Sequence, residues 1–320
     1  VNGGDFVNWN GTSTIDFSMG TVLRVTKGSL STDYVCEFTN SGLPVVVINQ
    51  PDGDTSWPQL GMNVWSKDSD FDTEVTPGEV AVYNADGTSG LKDKNGAVVE
   101  GALAAATRLR GNTSIAYPKK PFAVKLSAKS EVLGMPAHKR WVLLANWKDK
   151  SLMCNHVAFG IAHKFIDTCR DDANPGMLWQ PHGRFVEVVY NGIHIGNYYL
   201  CEQIKVDRNR LDIKDPYDAE ALPSVSEADL AKIGILIECD DNYDEEENGQ
   251  FISKHFIPVM LKDAGDADGV ILNHVKTKVT NIEDNLYKNT TAGYTEAQKY
   301  IDYYSFADML LVYELAMNSE

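Results

Sequence analysis

An α+β fold, strands first and helices after, is what this sequence predicts, and three observations predict it. Short alternating or continuously apolar runs recur between residues 21 and 146, separated by Gly, Pro, Asn and Asp turns. An Asn191-Gly192 pair sits between two alternating runs, the strongest short-range hairpin signal, because both residues tolerate positive φ. Two apolar stripes at helical spacing, one after Asp149 and one ending at Met317, complete the plan.

Thr21 to Thr26 and Tyr34 to Thr39 alternate in and out, with Gly and Ser turns between, and form a short β-rich N-terminal segment. Leu43 to Asn49 is continuously apolar, as a strand buried on both faces requires. Gln50 to Asp70, rich in Pro, Gly, Asp and Trp, reads as a surface excursion. Glu79 to Asn84 is a strand closed by the turn Asn84-Ala-Asp-Gly87. Ala104 to Leu109 and Phe122 to Leu126 are strands flanking a Gly-Asn turn. In the second of them Phe122 and Val124 point one way while Ala123 and Lys125 point the other.

Trp141 to Asn146 is a further buried strand, followed by a helix with Asp149 or Ser151 as its N-cap. Met153, Val157, Ile161 and Phe165 recur every four residues on it and are expected to face a core. Arg184 to Tyr190 and His194 to Cys201 form the hairpin about Asn191-Gly192. Ile233 to Glu238 is an apolar strand, and Glu296 to Met317 reads as one long helix.

Composition bounds what such a fold can do. With 320 residues, 43% hydrophobic and 23% charged, the chain can bury a large core in two or more lobes. No run of about 18 apolar residues spans a membrane, and a net charge of -16 repels a phosphodiester backbone, so nucleic acid is not an expected partner. Five scattered cysteines without a C-x-x-C pair argue against a disulfide framework or a zinc site, and Cys154 and Cys239 are expected as buried thiols. The chain starts at Val1 and not at Met, as removal of an N-terminal segment would leave it.

Against that acidic background, Arg110-Gly-Asn112 and the strand carrying Lys119, Lys120 and Lys125 concentrate positive charge. A cationic strand beside a Gly turn suits a polyanionic ligand, with phosphate the obvious candidate. Solubilisation of an edge strand is the competing reading. Elsewhere, seven acids between Glu238 and Glu247 lack the Gly-centred spacing of a calcium loop and read as a solvated turn. His156 and His163 have no acid between them in a zincin arrangement and read as helix surface.

Arg110-Gly-Asn-Thr113, Lys119-Lys-Pro-Phe-Ala-Val-Lys-Leu126, Trp141-Val-Leu-Leu-Ala-Asn146, Asp149-Lys-Ser151 with Asn155, and Tyr198-Tyr-Leu-Cys-Glu-Gln-Ile204 occur in that order. Together they resemble the CotH kinase family, named for spore coat protein H. Leu43-Pro-Val-Val-Val-Ile48 is similar to that family's first strand, and Gly234-Ile-Leu-Ile-Glu238 to a later one.

The resemblance implies an atypical protein-kinase-like lobe of antiparallel strands with helices. It places an N-terminal lobe over residues 43–215, after the β-rich segment 1–42, and the start of a C-terminal lobe over 216–320. It implies ATP as cofactor with Mg2+ or Mn2+, and transfer of the γ-phosphoryl group to a Ser or Thr hydroxyl of a protein substrate. The setting it implies is secreted or cell-surface, with a signal segment removed and an extracellular multidomain partner possible. Arg110, Asn112, Lys119, Lys120 and Lys125 would face the phosphates. Lys125 is placed like the phosphate-gripping lysine of a kinase strand, with Glu202 as the carboxylate that fixes it. Glu320 would be the first acid of the catalytic metal site.

The family's Trp-Asp-x-Asp motif does not occur in these residues, although Ala316-Met-Asn318-Ser-Glu320 is similar to the element preceding it. ATP and its metal would then both require residues beyond 320, and this chain alone is expected to bind nucleotide weakly and not to transfer phosphate. A second class of reading stays open: a non-catalytic extracellular scaffold, or a glycan- or protein-binding module working through the Trp57, Trp65 and Trp179 loops.

Overall fold

A computed structural model of the protein describes residues 22–35, 41–51, 53, 55–57, 62–69, 71–74, 76–168, 176–213, 227–240, 249–262 and 269–317. Internal contacts gather the chain into two compact units, Val1–Met153 with His182–Gln203, and Cys154–Pro181 with Ile204–Glu320.

Among the described residues, the first unit carries twelve strands: β1 (Val22–Lys27), β2 (Leu30–Val35), β3 (Val45–Asn49), β4 (Thr55–Trp57), β5 (Met62–Val64), β6 (Glu79–Tyr83), β7 (Leu91–Asp93), β8 (Leu103–Leu109), β9 (Phe122–Val132), β10 (Met135–Leu144), β11 (Gly183–Tyr190) and β12 (Ile193–Glu202). Seven of them run β10-β12-β11-β3-β6-β8-β9, and β9 pairs back to β10, so the sheet closes into a barrel with β7 appended to β9. All barrel pairings are antiparallel except β3 with β11.

The α+β plan therefore holds, while the expected kinase-like lobe of antiparallel strands is a closed seven-stranded barrel with one parallel pair, not specifically a kinase lobe. Length is the reason. With 11 and 10 residues, β9 and β10 reach past their own hairpin, so β9 also takes β8 and β7 while β10 takes β12. Register shifts in β10 on either side of His138 add the local bend that closure needs. A closed sheet leaves no row of unpaired backbone groups along its wall.

The interior is filled by side chains. Phe122, Trp141, Leu143, Tyr190 and Tyr198 point inward and are almost wholly buried, with Phe122 stacked on Tyr190 at 5.4 Å between centroids. Such a barrel is a packed core and not a ligand chamber. Its main polar member is Gln50, whose side-chain N–H donates to the Thr107 carbonyl at 2.8 Å and whose Oε1 accepts from the Tyr190 hydroxyl at 3.1 Å. One amide thus ties β8 to β11, with its oxygen and its N–H both partnered.

Local expectations fare unevenly. The Asn191-Gly192 hairpin is present, with φ of 48° and 79° at its two turn residues, and Gly87 donates to Asn84 at 2.9 Å in the expected turn. The second N-terminal strand begins earlier than expected, because positive φ at Gly28 turns the chain tightly. Within 50–70, β4 and β5 form a small hairpin, and Val64 is drawn into the barrel core, so this segment is not only a surface excursion.

The second unit contains α1 (Cys154–Thr168), α2 (Glu227–Leu230), β13 (Ile237–Glu238), β14 (Gln250–Ile252), β15 (Pro258–Leu261), α3 (Val270–Leu286), α4 (Thr291–Ala297) and α5 (Tyr303–Ala316). The sheet β13-β15-β14 packs with α3 through Phe251, Val259, Ile271 and Val275. α1 packs on α5. α1 starts later than expected: Asp149 accepts from the Ser151 N–H and hydroxyl in a separate turn, and Ser151 accepts from Met153. Met153 and Val157 are consequently exposed, while Ala162 is the buried residue of the helix.

Only Ile237 and Glu238 of the expected 233–238 strand pair, both with β15. The expected long C-terminal helix is two. Asp302 accepts from the Tyr304 N–H at 3.1 Å and so caps a new helix after α4 has ended. Cys154 and Cys239 are exposed, contrary to expectation, whereas Cys201 is buried. Cys36, Cys169 and the acidic residues 241–247 lie outside the described residues. Among the described residues, no helix is long and apolar enough to cross a membrane.

Candidate functional site

Strand alternation assembles the charge. On β9, Phe122, Val124 and Leu126 enter the barrel core, so Lys125 leaves the outer face as the sequence predicts. Lys125 is paired with Ala106 on β8 and Arg140 on β10, and Arg108 is paired with Ala123. Directly opposed residues share a face. Arg108, Lys125 and Arg140 therefore stand together on the outside of the same three strands.

The segment before β6 lies against them. The Phe71 ring has the Arg108 guanidinium at 4.7 Å on one side and that of Arg140 at 4.5 Å. Lys125 Nζ donates to the Phe71 carbonyl and to Asp72 Oδ2, each at 2.9 Å. The Lys125 hydrogen bond, followed by the Glu74 backbone N–H, holds the Asp72 carboxyl below its ordinary range. Burial pushes the Arg140 guanidinium down, the neighbouring Arg108 charge adds to this, and Asp72 opposes it.

Beyond the end of β8 comes the Gly turn. Gly111 has φ of 92°, and a Cβ there would fall 2.1 Å from Ser114 Oγ, so the position requires glycine. Asn112 Oδ1 accepts from Lys67 at 3.2 Å, and a 3-10 turn over Thr113–Ala116 follows. Lys119 donates to the Asn197 carbonyl and sits 4.4 Å over the Tyr198 ring. Burial pushes its ammonium down, with the Glu187 charge opposing. Lys120 donates to the Ile115 carbonyl at 2.8 Å, and its own carbonyl accepts from the Tyr198 hydroxyl at 2.9 Å.

Arg110 differs from the other cations of the stretch. Its backbone N–H donates to the Pro121 carbonyl, but its guanidinium has no acceptor or carboxylate among the described residues. The residue is half-buried. Burial pushes its pKa down, and the Cys201 thiol is the one group that opposes the shift. A desolvated guanidinium without a counter-charge is a ready anion site, since its fork of donors matches a phosphate in two-point contact.

Glu202 is not the partner of Lys125. It is paired with Trp141 on β10 and so faces inward, on the side opposite Lys125. Its Oε2 accepts from the His182 backbone N–H at 2.8 Å and lies 2.9 Å from His182 Nδ1, and its side chain is wholly buried. It is not a solvated strand end. Glu320 lies outside the described residues. Among the described residues, no three His, Cys, Asp or Glu side chains gather closely enough to hold a metal ion.

The sequence singles out Lys125 and Arg110 but not their neighbours Arg108, Arg140, Phe71 and Asp72, nor His182 beside Glu202. Arg108 carried a signal, two residues before Arg110 on one strand face. Asp72 and Arg140 carried none, because Arg140 meets Lys125 through a hairpin register shifted on either side of His138 and Asp72 reaches Lys125 from a loop. Of the tryptophans offered for a scaffold role, Trp65 and Trp179 are half-buried, and the side chain of Trp57 is outside the description.

A family model described as CotH kinase protein matches residues 107–319. The chain belongs to the CotH kinase family. No curated protein matches it. The CotH span takes in Arg108, Arg110, Lys125, Arg140 and the β11–β12 hairpin, so the cationic face belongs to the family region. β3 and β6, which complete the barrel, precede that span although the resemblance was expected from Leu43. The Phe71–Asp72 segment precedes it too.

Proposed function

We propose that this CotH-family chain binds the polyphosphate of ATP on the outer face of β8–β10 and serves kinase chemistry, phosphorylating Ser or Thr hydroxyls of a protein in a secreted or cell-surface setting. The observation that carries this reading is Arg110, a half-buried guanidinium with no counter-charge among the described residues, beside a glycine turn. Arg110 grips a phosphate through two donors, and Gly111 lets the backbone approach it. Lys125 adds a point charge four residues along from Pro121, the residue that Arg110 opposes. Such groups act by holding the phosphates and offsetting charge that develops on the transferred group.

A divalent ion, Mg2+ or Mn2+, neutralises the phosphate oxygens when bound. The described residues do not gather the carboxylates it needs, and Glu320 is the residue we assign to the start of that acidic side. The contribution of the described residues is therefore confined to the phosphate.

Thermal-shift titration with ATP, with and without magnesium, tests the reading. Stabilisation by millimolar ATP that disappears in Arg110→Ala is expected. The absence of any shift at millimolar nucleotide overturns it and favours a non-catalytic scaffold. Transfer of radiolabelled phosphate to a protein acceptor then tests the kinase step, with no turnover expected of residues 1–320 alone.

A further inference from the structure

We propose that α5 carries a self-association surface, through which two copies of this chain pair helix to helix. The inference concerns the second unit alone and is independent of the nucleotide reading.

The spacing of its apolar residues is the first argument. α5 packs on α1, and Ser305, Asp308 and Val312, the least exposed residues of the helix, mark its packed side. Asp308 also accepts from the Met177 N–H at 3.1 Å, which holds the helix on that side. Tyr303, Phe306, Leu310, Tyr313 and the C-cap residue Met317 follow one another at steps of three, four, three and four. At about 3.6 residues per turn they fall in one row on the other side of the helix. Such a row is what one helix offers to another.

The exposure of that row is the second. Phe306 is 56% exposed, Leu310 59% and Met317 90%, while Tyr303 and Tyr313 are 41% and 40% exposed. Together they present on the order of 500 Å² of mostly apolar surface. Single exposed apolar side chains are ordinary, but a contiguous patch of this size marks an interaction site. It approaches the roughly 800 Å² that each partner contributes to a stable interface.

Self-complementarity names the occupant. A two-fold axis at Leu310 sets two such rows antiparallel, with Leu310 against Leu310, Phe306 against Tyr313 and Tyr303 against Met317. Aromatic rings at one end of the row thereby meet a ring and a flexible thioether at the other, and both contacts are favourable. Within the helix the charge bordering the row is that of Glu314. Antiparallel pairing sets it beside Phe306 of the other copy, whereas parallel pairing would set it against its own counterpart. Each copy carries a net charge of -16, so only a patch without opposed like charges can join two of them.

Sedimentation velocity of the 320-residue chain at about 1 to 100 μM provides the test. The wild type is expected to sediment as a dimer at the upper end of that range. Leu310→Lys is expected to sediment as a monomer, its dimer dissociation constant raised roughly hundredfold or more. Leu311→Lys is the control: Leu311 is 48% exposed but stands off the row, and this variant is expected to stay dimeric. Both variants are expected to keep the circular dichroism of the wild type, because neither side chain is buried; should Leu310→Lys not fold, Phe306→Lys in the same row carries the same expectation. A wild type that stays monomeric at the highest concentration overturns the inference, whether α5 is then covered within the chain or by another protein. Leu310→Lys and Leu311→Lys that respond alike overturn it too.

Discussion

Lys125 and Glu202 leave opposite faces of one barrel wall. β10 separates their strands, pairing Arg140 with Lys125 and the next residue, Trp141, with Glu202. A lysine-carboxylate pair across this wall is thereby ruled out, and each residue has its own partner. Lys125 is held from outside by Asp72 and Glu202 fixes His182 at the barrel end. The face that meets phosphate and the carboxylate that orders the strand end can be altered separately.

Glu202→Ala is expected to destabilise the barrel by about 1–3 kcal/mol, because it removes a wholly buried side chain and the acceptor of the partly buried His182 backbone N–H. His182→Ala keeps that backbone contact and is expected to cost less than half as much. Urea denaturation of both variants checks the order, and equal losses contradict it.

Arg110→Leu is expected to separate stability from binding. Replacing a desolvated guanidinium that has no carboxylate among the described residues with an apolar side chain is neutral or stabilising by about 1 kcal/mol, while ATP no longer raises the melting temperature. A clear drop in the melting temperature of the unliganded variant speaks for a structural role and against an anion site.

Gly183→Ala tests packing where β11 meets the Tyr199 ring. An added Cβ falls 2.4 Å from two ring carbons, and Tyr199 is buried, so it cannot simply swing away. A loss of about 1–3 kcal/mol is expected. Wild-type stability would mean that the ring shifts freely.

Alkaline pH is expected to unfold the barrel from its tyrosines. Burial, aided by Cys201 and opposed by Arg184, pushes Tyr199 up to about 12. Burial alone pushes Tyr190 and Tyr198 higher still. A raised folded pKa stabilises the fold fully below the unfolded value near 10, and the stability is lost as pH rises from there through the folded value. Tyrosinate absorbance from these residues should appear together with loss of circular dichroism. Ionisation of all tyrosines in a chain that keeps its strand signal sinks the prediction.

The sequence made local features legible and long-range ones invisible. The Asn191-Gly192 turn, the inward face of β9 and the outward aim of Lys125 follow from residue type and alternation, and all are found. Barrel closure does not follow, because it depends on β9 and β10 each serving two neighbours. Arg140 and Asp72 were not legible either, because the register shifts about His138 decide which residue faces Lys125 and a loop brings Asp72 to it. α3 was missed because its β-branched residues and scattered polar positions weaken a helical stripe, although Ile271 and Val275 still keep helical spacing toward the core.

The strand order also dictates when this wall can exist. Gln50, at the end of β3, finds its Asn191 partner 141 positions later in the chain, and β3 lies beside β11 in parallel. Until β11 has left the ribosome, β3 has an open flank and β10 lacks its second neighbour. A nascent chain halted before residue 183 should therefore present unpaired strand edges and recruit chaperones, and refolding of the finished protein should be slow for its size, as pairings between distant segments require.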